Sequence, residues 1–135
     1  MSLMMNSKIL IGILIILIFL AGCTAPSNQT GTLQGYISIS PICPVERNPP
    51  DPRCQPTAET YQAYALDVFK LDQYGGYENA GKIVADAEGN YSIELAAGNY
   101  VLDLKNKTPF FEKKWFSIEA GKTEKLDVDI DTGIR

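Results

Sequence analysis

The sequence predicts an all-β domain, a seven-stranded antiparallel β-sandwich. Three observations carry that expectation. From Gly31 onward apolar residues recur at every second position, the period of a strand with one buried face. Glycine and proline turn signals interrupt the pattern about every ten residues. No segment beyond Gly31 carries a convincing helical stripe.

The elements follow in chain order. Leu33, Gly35, Ile37 and Ile39 alternate with Gln34, Tyr36 and Ser38, and Pro41 ends this first strand. A proline-rich loop from Pro41 to Thr60 encloses Cys43 and Cys54. Gln62 to Leu71 reads as a strand with both faces partly covered, broken by Gly75-Gly76, and Lys82 to Ala85 as a short one. Asp86-Ala87-Glu88-Gly89 is a tight turn, Gly89 being free to take the positive φ of a hairpin. Tyr91, Ile93 and Leu95 then alternate with Ser92 and Glu94, and Ala97-Gly98 makes a second hairpin turn. Tyr100, Leu102 and Leu104 are expected to face inward, Val101 and Asp103 outward. Beyond Pro109, Trp115 to Ile118 and Thr123 to Ile130 read as a last hairpin around Gly121, with Leu126, Val128 and Ile130 inward.

The first 22 residues have a different character. Of 135 residues, 45% are hydrophobic, and the excess lies before Cys23. Ile9 to Ala21 is apolar at every position but Gly12 and follows one positive charge, Lys8. Thirteen helical residues rise only about 20 Å, short of the roughly 30 Å hydrocarbon core, so the run reads as the apolar region of an export signal. The alternative is an uncleaved anchor that tilts or thins the bilayer. Leu20-Ala21-Gly22-Cys23 resembles the lipobox of prokaryotic lipoproteins. That resemblance implies a signal peptide over residues 1–22 and a lipidated N-terminus at Cys23, carrying palmitate-type acyl chains. A flexible tether over 23–30 then precedes the domain, which is placed at the cell membrane or surface on the extracytoplasmic side. The expected partner at Cys23 is the membrane, and two or three acyl chains, at about 0.8 kcal/mol per buried methylene, hold where one is marginal.

The cysteines agree with this placement. Lipidation consumes one of three and leaves Cys43 and Cys54 as a pair where a disulfide survives. Closing that loop removes roughly 3 kcal/mol of unfolded-state freedom. Two cysteines without histidine supply too few ligands for zinc. The absence of histidine also removes serine-histidine and cysteine-histidine catalysis. A formal charge of −4, from 12 basic and 16 acidic side chains, argues against a nucleic-acid partner.

The run Asp86-Ala87-Glu88-Gly89-Asn90-Tyr91 through Leu95-Ala96-Ala97-Gly98-Asn99-Tyr100-Val101-Leu102 resembles the turn-and-strand signature of carboxypeptidase regulatory-like domains. The opening Gly31-Thr32-Leu33-Gln34-Gly35, the Cys43 to Cys54 insert and the closing Asp129 to Arg135 resemble a secreted prokaryotic subgroup of the same kind. The resemblance spans residues 31–135. It implies a transthyretin-like (prealbumin-type, Ig-like) sandwich, a non-catalytic module rather than an enzyme, with no cofactor and no catalytic residue. In the related collagen-adhesin B-type domains a lysine forms an isopeptide bond; the first strand here, Thr32 to Ser40, has none.

Candidate sites remain. Asp127, Asp129 and Asp131 recur at every second residue and resemble the start of a calcium loop. The glycine and distal glutamate of an EF-hand are missing, which favours a solvated acidic strand face. Tyr74, Tyr77, Phe110, Phe111 and Trp115 form a candidate ligand-binding set for a carbohydrate or a surface protein. Of Trp115 and Phe116 only one can face the core. The disulfide-clamped Pro44 to Pro52 loop offers a further reading, insertion into a protease cleft. Asn28, Asn90 and Asn106 each begin an Asn-x-Ser/Thr triplet.

Overall fold

Alternation along Thr30–Ser40 produces strand β1, whose Leu33, Ile37 and Ile39 are buried while Gln34, Tyr36 and Ser40 stay exposed. The computed structural model describes residues 29–45, 47–105 and 108–135. The expected signal peptide, Cys23, the expected tether as far as Asn28 and the start of the Asn106 triplet lie outside the described residues. After β1 come helix α1 (Ala58–Ala63), then β2 (Leu66–Leu71), β3 (Tyr77–Ile83), β4 (Asn90–Ala96), β5 (Gly98–Asp103), β6 (Lys114–Ile118), β7 (Thr123–Lys125) and β8 (Val128–Asp131).

These form two four-stranded sheets. In the first, β4 pairs with one edge of β1, while β7 and β8 share its other edge; the second runs β3-β2-β5-β6. Both sheets turn their alternating apolar faces toward one core. Leu33, Ile37, Ile39, Tyr91, Leu95, Val128 and Ile130 come from the first sheet. Leu66, Val68, Ile83, Tyr100, Leu102, Phe116 and Ile118 come from the second, with the Tyr100 and Phe116 rings stacked 5.5 Å apart.

The β-sandwich expectation holds, with four corrections. Among the described residues there are eight strands rather than seven, because the expected strand Thr123 to Ile130 breaks at Leu126-Asp127. The sandwich is mixed rather than antiparallel: β1 runs antiparallel to β4 but parallel to β7 and β8. The expected hairpins at Asp86 to Gly89, Ala97-Gly98 and Gly121 are sheet crossings, since β3 and β4, β4 and β5, and β6 and β7 lie in opposite sheets. The turns form as read, but the strands they join bury their apolar faces from opposite sides of the core. Finally, Gln62 to Leu71 is not one strand. Its first residues complete α1, which starts at a reciprocal cap in which Thr57 N–H donates to Thr60 Oγ1 (3.0 Å) and Thr60 N–H to Thr57 Oγ1 (3.4 Å). Its Tyr61 plugs the core.

The break in the last strand has a local cause. Beside Leu126-Asp127 the Asp127 side chain replaces a backbone acceptor: Tyr36 N–H donates to Asp127 Oδ1 (2.9 Å). Leu126 N–H donates to Gln34 O (2.9 Å), and the Tyr91 hydroxyl donates to Leu126 O (2.5 Å). The Leu126 carbonyl approaches so closely that a Cβ on Gly35 would lie 1.9 Å from it. Glycine is therefore a packing requirement at this point in β1.

Two outcomes are expected. Gly35→Ala should cost on the order of 3 kcal/mol in denaturant unfolding, because rigid backbone must move to admit the methyl. Burial, followed by the nearby Asp127 charge, pushes the Tyr91 phenol up to about 12. A folded-state pKa above the unfolded value near 10 means that stability is complete below pH 10 and falls as pH rises from 10 to 12. Burial also raises Tyr61 and Tyr100. Tyr91→Phe should therefore reduce that alkaline slope without abolishing it, as read from unfolding midpoints across the range.

Candidate ligand-binding face

A one-residue irregularity in the second sheet creates its most distinctive surface. Leu66, Asp67 and Val68 pair with Ile83, Lys82 and Gly81, but Phe69, Lys70 and Leu71 pair with Asn79, Glu78 and Tyr77, leaving Ala80 as an extra residue. Side chains alternate along a strand, so a single inserted residue reverses the faces beyond it. Ile83 points into the core, while Tyr77, of the same parity, is rotated onto the outer face beside Phe69. Gly81 supplies the φ of +148° at this bulge.

Across the outer face, Phe69 on β2 pairs with Val101 on β5, and Val101 with Trp115 on β6. Tyr77 and Trp115 start from the two edge strands, roughly 14 Å apart by strand spacing. Their ring centroids are nevertheless 6.3 Å apart, tilted by 50°, so both rings lean inward over the middle of the sheet. Beneath them Val101 is only 2% exposed although it faces away from the core. Tyr77 and Trp115 are each 57% exposed as residues.

Charged groups border this apolar strip. Asp67 and Asp103 are direct cross-strand neighbours. Lys82 Nζ lies 3.7 Å from Asp67 and Lys113 Nζ lies 3.3 Å from Asp103, offsetting the repulsion between the carboxylates. Lys105 Nζ sits 4.5 Å from the centroid of the Phe69 ring. Phe69, Tyr77, Val101, Asp103, Lys105 and Lys113 line an open recess of about 150 Å³. Exposed ion pairs of this kind add little stability, so their consequence is an ordered polar rim around an aromatic floor.

The five expected aromatic residues do not form one site. Tyr77 and Trp115 come together, and Phe116 takes the core position in place of Trp115. Tyr74 stands alone at the β2–β3 hairpin tip. Phe110 lies against Gly133 and Arg135 at the C-terminus, and Phe111 packs against the core. The phenylalanines leave the set because their loop folds over one end of the sandwich. Phe69, Val101, Asp103, Lys105 and Lys113 belong to the face but were missing from the sequence-based set. The outward expectation for Val101 and the glycine inside β3 were the available signals.

The three aspartates Asp127, Asp129 and Asp131 share the solvent side of the last strand segment, between buried Val128 and Ile130, each with its own partner. Asp127 accepts from Tyr36 N–H (2.9 Å), Asp129 from the Ser38 hydroxyl, and Asp131 from Gly133 N–H (2.8 Å) and Arg135 Nη2 (2.9 Å). The Arg135 guanidinium, with Gly133 N–H, holds the Asp131 carboxyl below its ordinary range. Among the described residues no three potential ligands converge on a metal position.

Cys43 and Cys54 form the disulfide, with Cα atoms 5.4 Å apart. It closes a loop in which Asp51 accepts from Arg53 N–H (2.9 Å), Nε (3.1 Å) and Nη2 (2.7 Å). These bonds keep the Asp51 carboxyl below its usual range. Between the end of β1 and this loop lies a second recess of about 250 Å³, bordered by Ile39, Pro41, Arg47 and Pro50.

No family model matches the chain, and no curated protein matches it in sequence. Among solved structures it is similar to a DUF3823 family protein from Parabacteroides merdae. The TM-score is 0.51 at 11% identity, over 75% of this chain and 45% of that one. It is also similar to a minor pilin of Streptococcus agalactiae, with a TM-score of 0.43 at 17% identity over 77% of this chain and 45% of that one. For (S)-allantoin synthase the TM-score is 0.46 at 11% identity, over 78% of this chain and 42% of the enzyme. The chain spans less than half the length of each, and at such identities the likeness is one of fold alone.

Trp115 is the sole tryptophan, so intrinsic emission reports on the outer face. Acrylamide should quench it readily in the native protein, and Tyr77→Ala should increase that quenching with a melting temperature lowered by less than about 4 °C. Native emission insensitive to acrylamide would contradict a solvated ring pair.

Proposed function

We propose that the chain is a membrane-anchored surface lipoprotein whose β-sandwich, akin to carboxypeptidase regulatory-like domains, is a non-catalytic binding or structural module. The apolar run before Leu20-Ala21-Gly22-Cys23 supports the anchor, and the absence of histidine agrees with a domain that holds rather than reacts. One observation carries the module reading: the polarity of the sandwich. Gln29 O accepts from Ala97 N–H and Thr30 O from Gly121 N–H, both at 2.8 Å, so the chain enters at the end where β4 and β6 finish. The strand directions place the disulfide loop, the Phe110 loop and Arg135 at the opposite end, with the Tyr77–Trp115 face along the side. A tether at Cys23 would therefore present these surfaces away from the bilayer. The solvated ring pair favours carbohydrate adhesion as a second reading, with a surface protein as the other class of partner.

Metabolic labelling with a tagged fatty acid tests the anchor. Label should enter the full-length protein, and Cys23→Ala should lose it. Equal labelling of both would remove this reading.

A further inference from the structure

We propose that the outer face of the β3-β2-β5-β6 sheet binds a saccharide, specifically a pyranose ring carrying a carboxylate, of the uronic-acid class. The inference rests on reading the domain as a binding module and names the ligand of the face described above.

Shape comes first. Tyr77 and Trp115 lean together over Val101 with their rings 6.3 Å apart, and both residues are exposed. Large solvated aromatics converging on a sheet face form a platform for a flat ligand with one apolar side. The adjoining recess of about 150 Å³ is on the order of one sugar ring, so a chain would lie across the face and seat a single unit.

Polarity comes next. A wholly apolar ligand would strip water from Asp103 and Lys113 without replacing the lost hydrogen bonds. A pyranose presents C–H groups on one side and hydroxyls around its edge. Asp67 and Asp103 have acceptor lone pairs beyond those directed at Lys82 and Lys113, so ring hydroxyls can donate there while the C–H side rests on the indole.

Charge then selects among sugars. The chain as a whole carries −4, yet on this face three ammonium groups, Lys82, Lys105 and Lys113, stand against two carboxylates, Asp67 and Asp103. Lys82 and Lys113 are paired. Lys105 is held over Phe69 with no carboxylate within ion-pair distance among the described residues, just beyond the Asp103 end of β5. A carboxylate on the bound ring completes that pairing.

Fluorescence titration of the full chain in detergent, supported by calorimetry, provides the test. The probes are an oligomer of glucuronic acid and its carboxyl-reduced neutral counterpart. Saturable change of Trp115 emission is expected with the acidic oligomer, with affinity about tenfold weaker for the neutral one. Lys105→Gln should erase that preference. Trp115→Ala should abolish calorimetric binding while the melting curve is retained. Tyr77→Ala, which keeps the reporter, should weaken binding and covers the case in which Trp115→Ala fails to fold. Absence of saturable binding by either oligomer, equal affinity for the two, or a preference that survives Lys105→Gln would overturn the proposal. None of these results alters fatty-acid labelling at Cys23, so failure here is distinguishable from failure of the anchored-module reading.

Discussion

The structure depends on β1 being paired along both edges. Its first half joins β4, and its opposite edge receives β7 and then β8 in parallel. β4 and β7 each arrive by a segment that has crossed from the second sheet, and β8 continues from β7, so the crossings between the two sheets converge on β1. Gly35 is the tightest point of that arrangement, because the Leu126 carbonyl occupies the space that any side chain would need. Tyr91 then closes the same carbonyl from the core side. Register, strand break and sheet closure meet within a few ångströms, and a defect there is felt by every strand of the first sheet.

The outer aromatic face follows from a second constraint of the same type. A regular β2–β3 ladder would turn Tyr77 to the same inner face as Ile83, six residues further along β3. The bulge at Ala80 prevents this and places Tyr77 on the side where Trp115 also lies. One inserted residue thus separates a packing side chain from a solvated one and brings together rings that begin on opposite edges of the sheet. The face stands on paired strands, so a ligand there would meet a lower ordering cost than at a loop-built site.

Much of the inner layer was legible in the sequence. Leu33, Ile37, Ile39, Tyr91, Leu95, Tyr100, Leu102, Val128 and Ile130 alternate in strict period and are all buried. The candidate site was only half legible. Trp115 and Tyr77 stood out as large rings near turns, but their pairing depends on a bulge whose only sequence trace is Gly81 within β3. Phe110 and Phe111 resemble them in composition and go elsewhere, because loop direction is set by what the loop packs against. α1 was missed because a six-residue helix spans too few turns to display periodicity, although the Thr57 and Thr60 spacing of its cap was present.

Two turns show where local chemistry ends. Asp72-Gln73-Tyr74-Gly75-Gly76 and Asp86-Ala87-Glu88-Gly89-Asn90 make the same bonds: the aspartate Oδ1 accepts from the second and fourth following N–H groups, and its carbonyl from the third. The first joins β2 to β3 as a hairpin within one sheet; the second carries the chain from β3 to β4 in the other. The sequence by itself determined the turns, the alternation and the inward apolar set, because these arise from side chains and backbone within a few residues. Tertiary structure decided which strands are neighbours, which way they run and which rings meet. Those outcomes depend on what lies across the core, since each strand must find both an open hydrogen-bonding edge and an opposing apolar face, and both are supplied by residues far away in the chain.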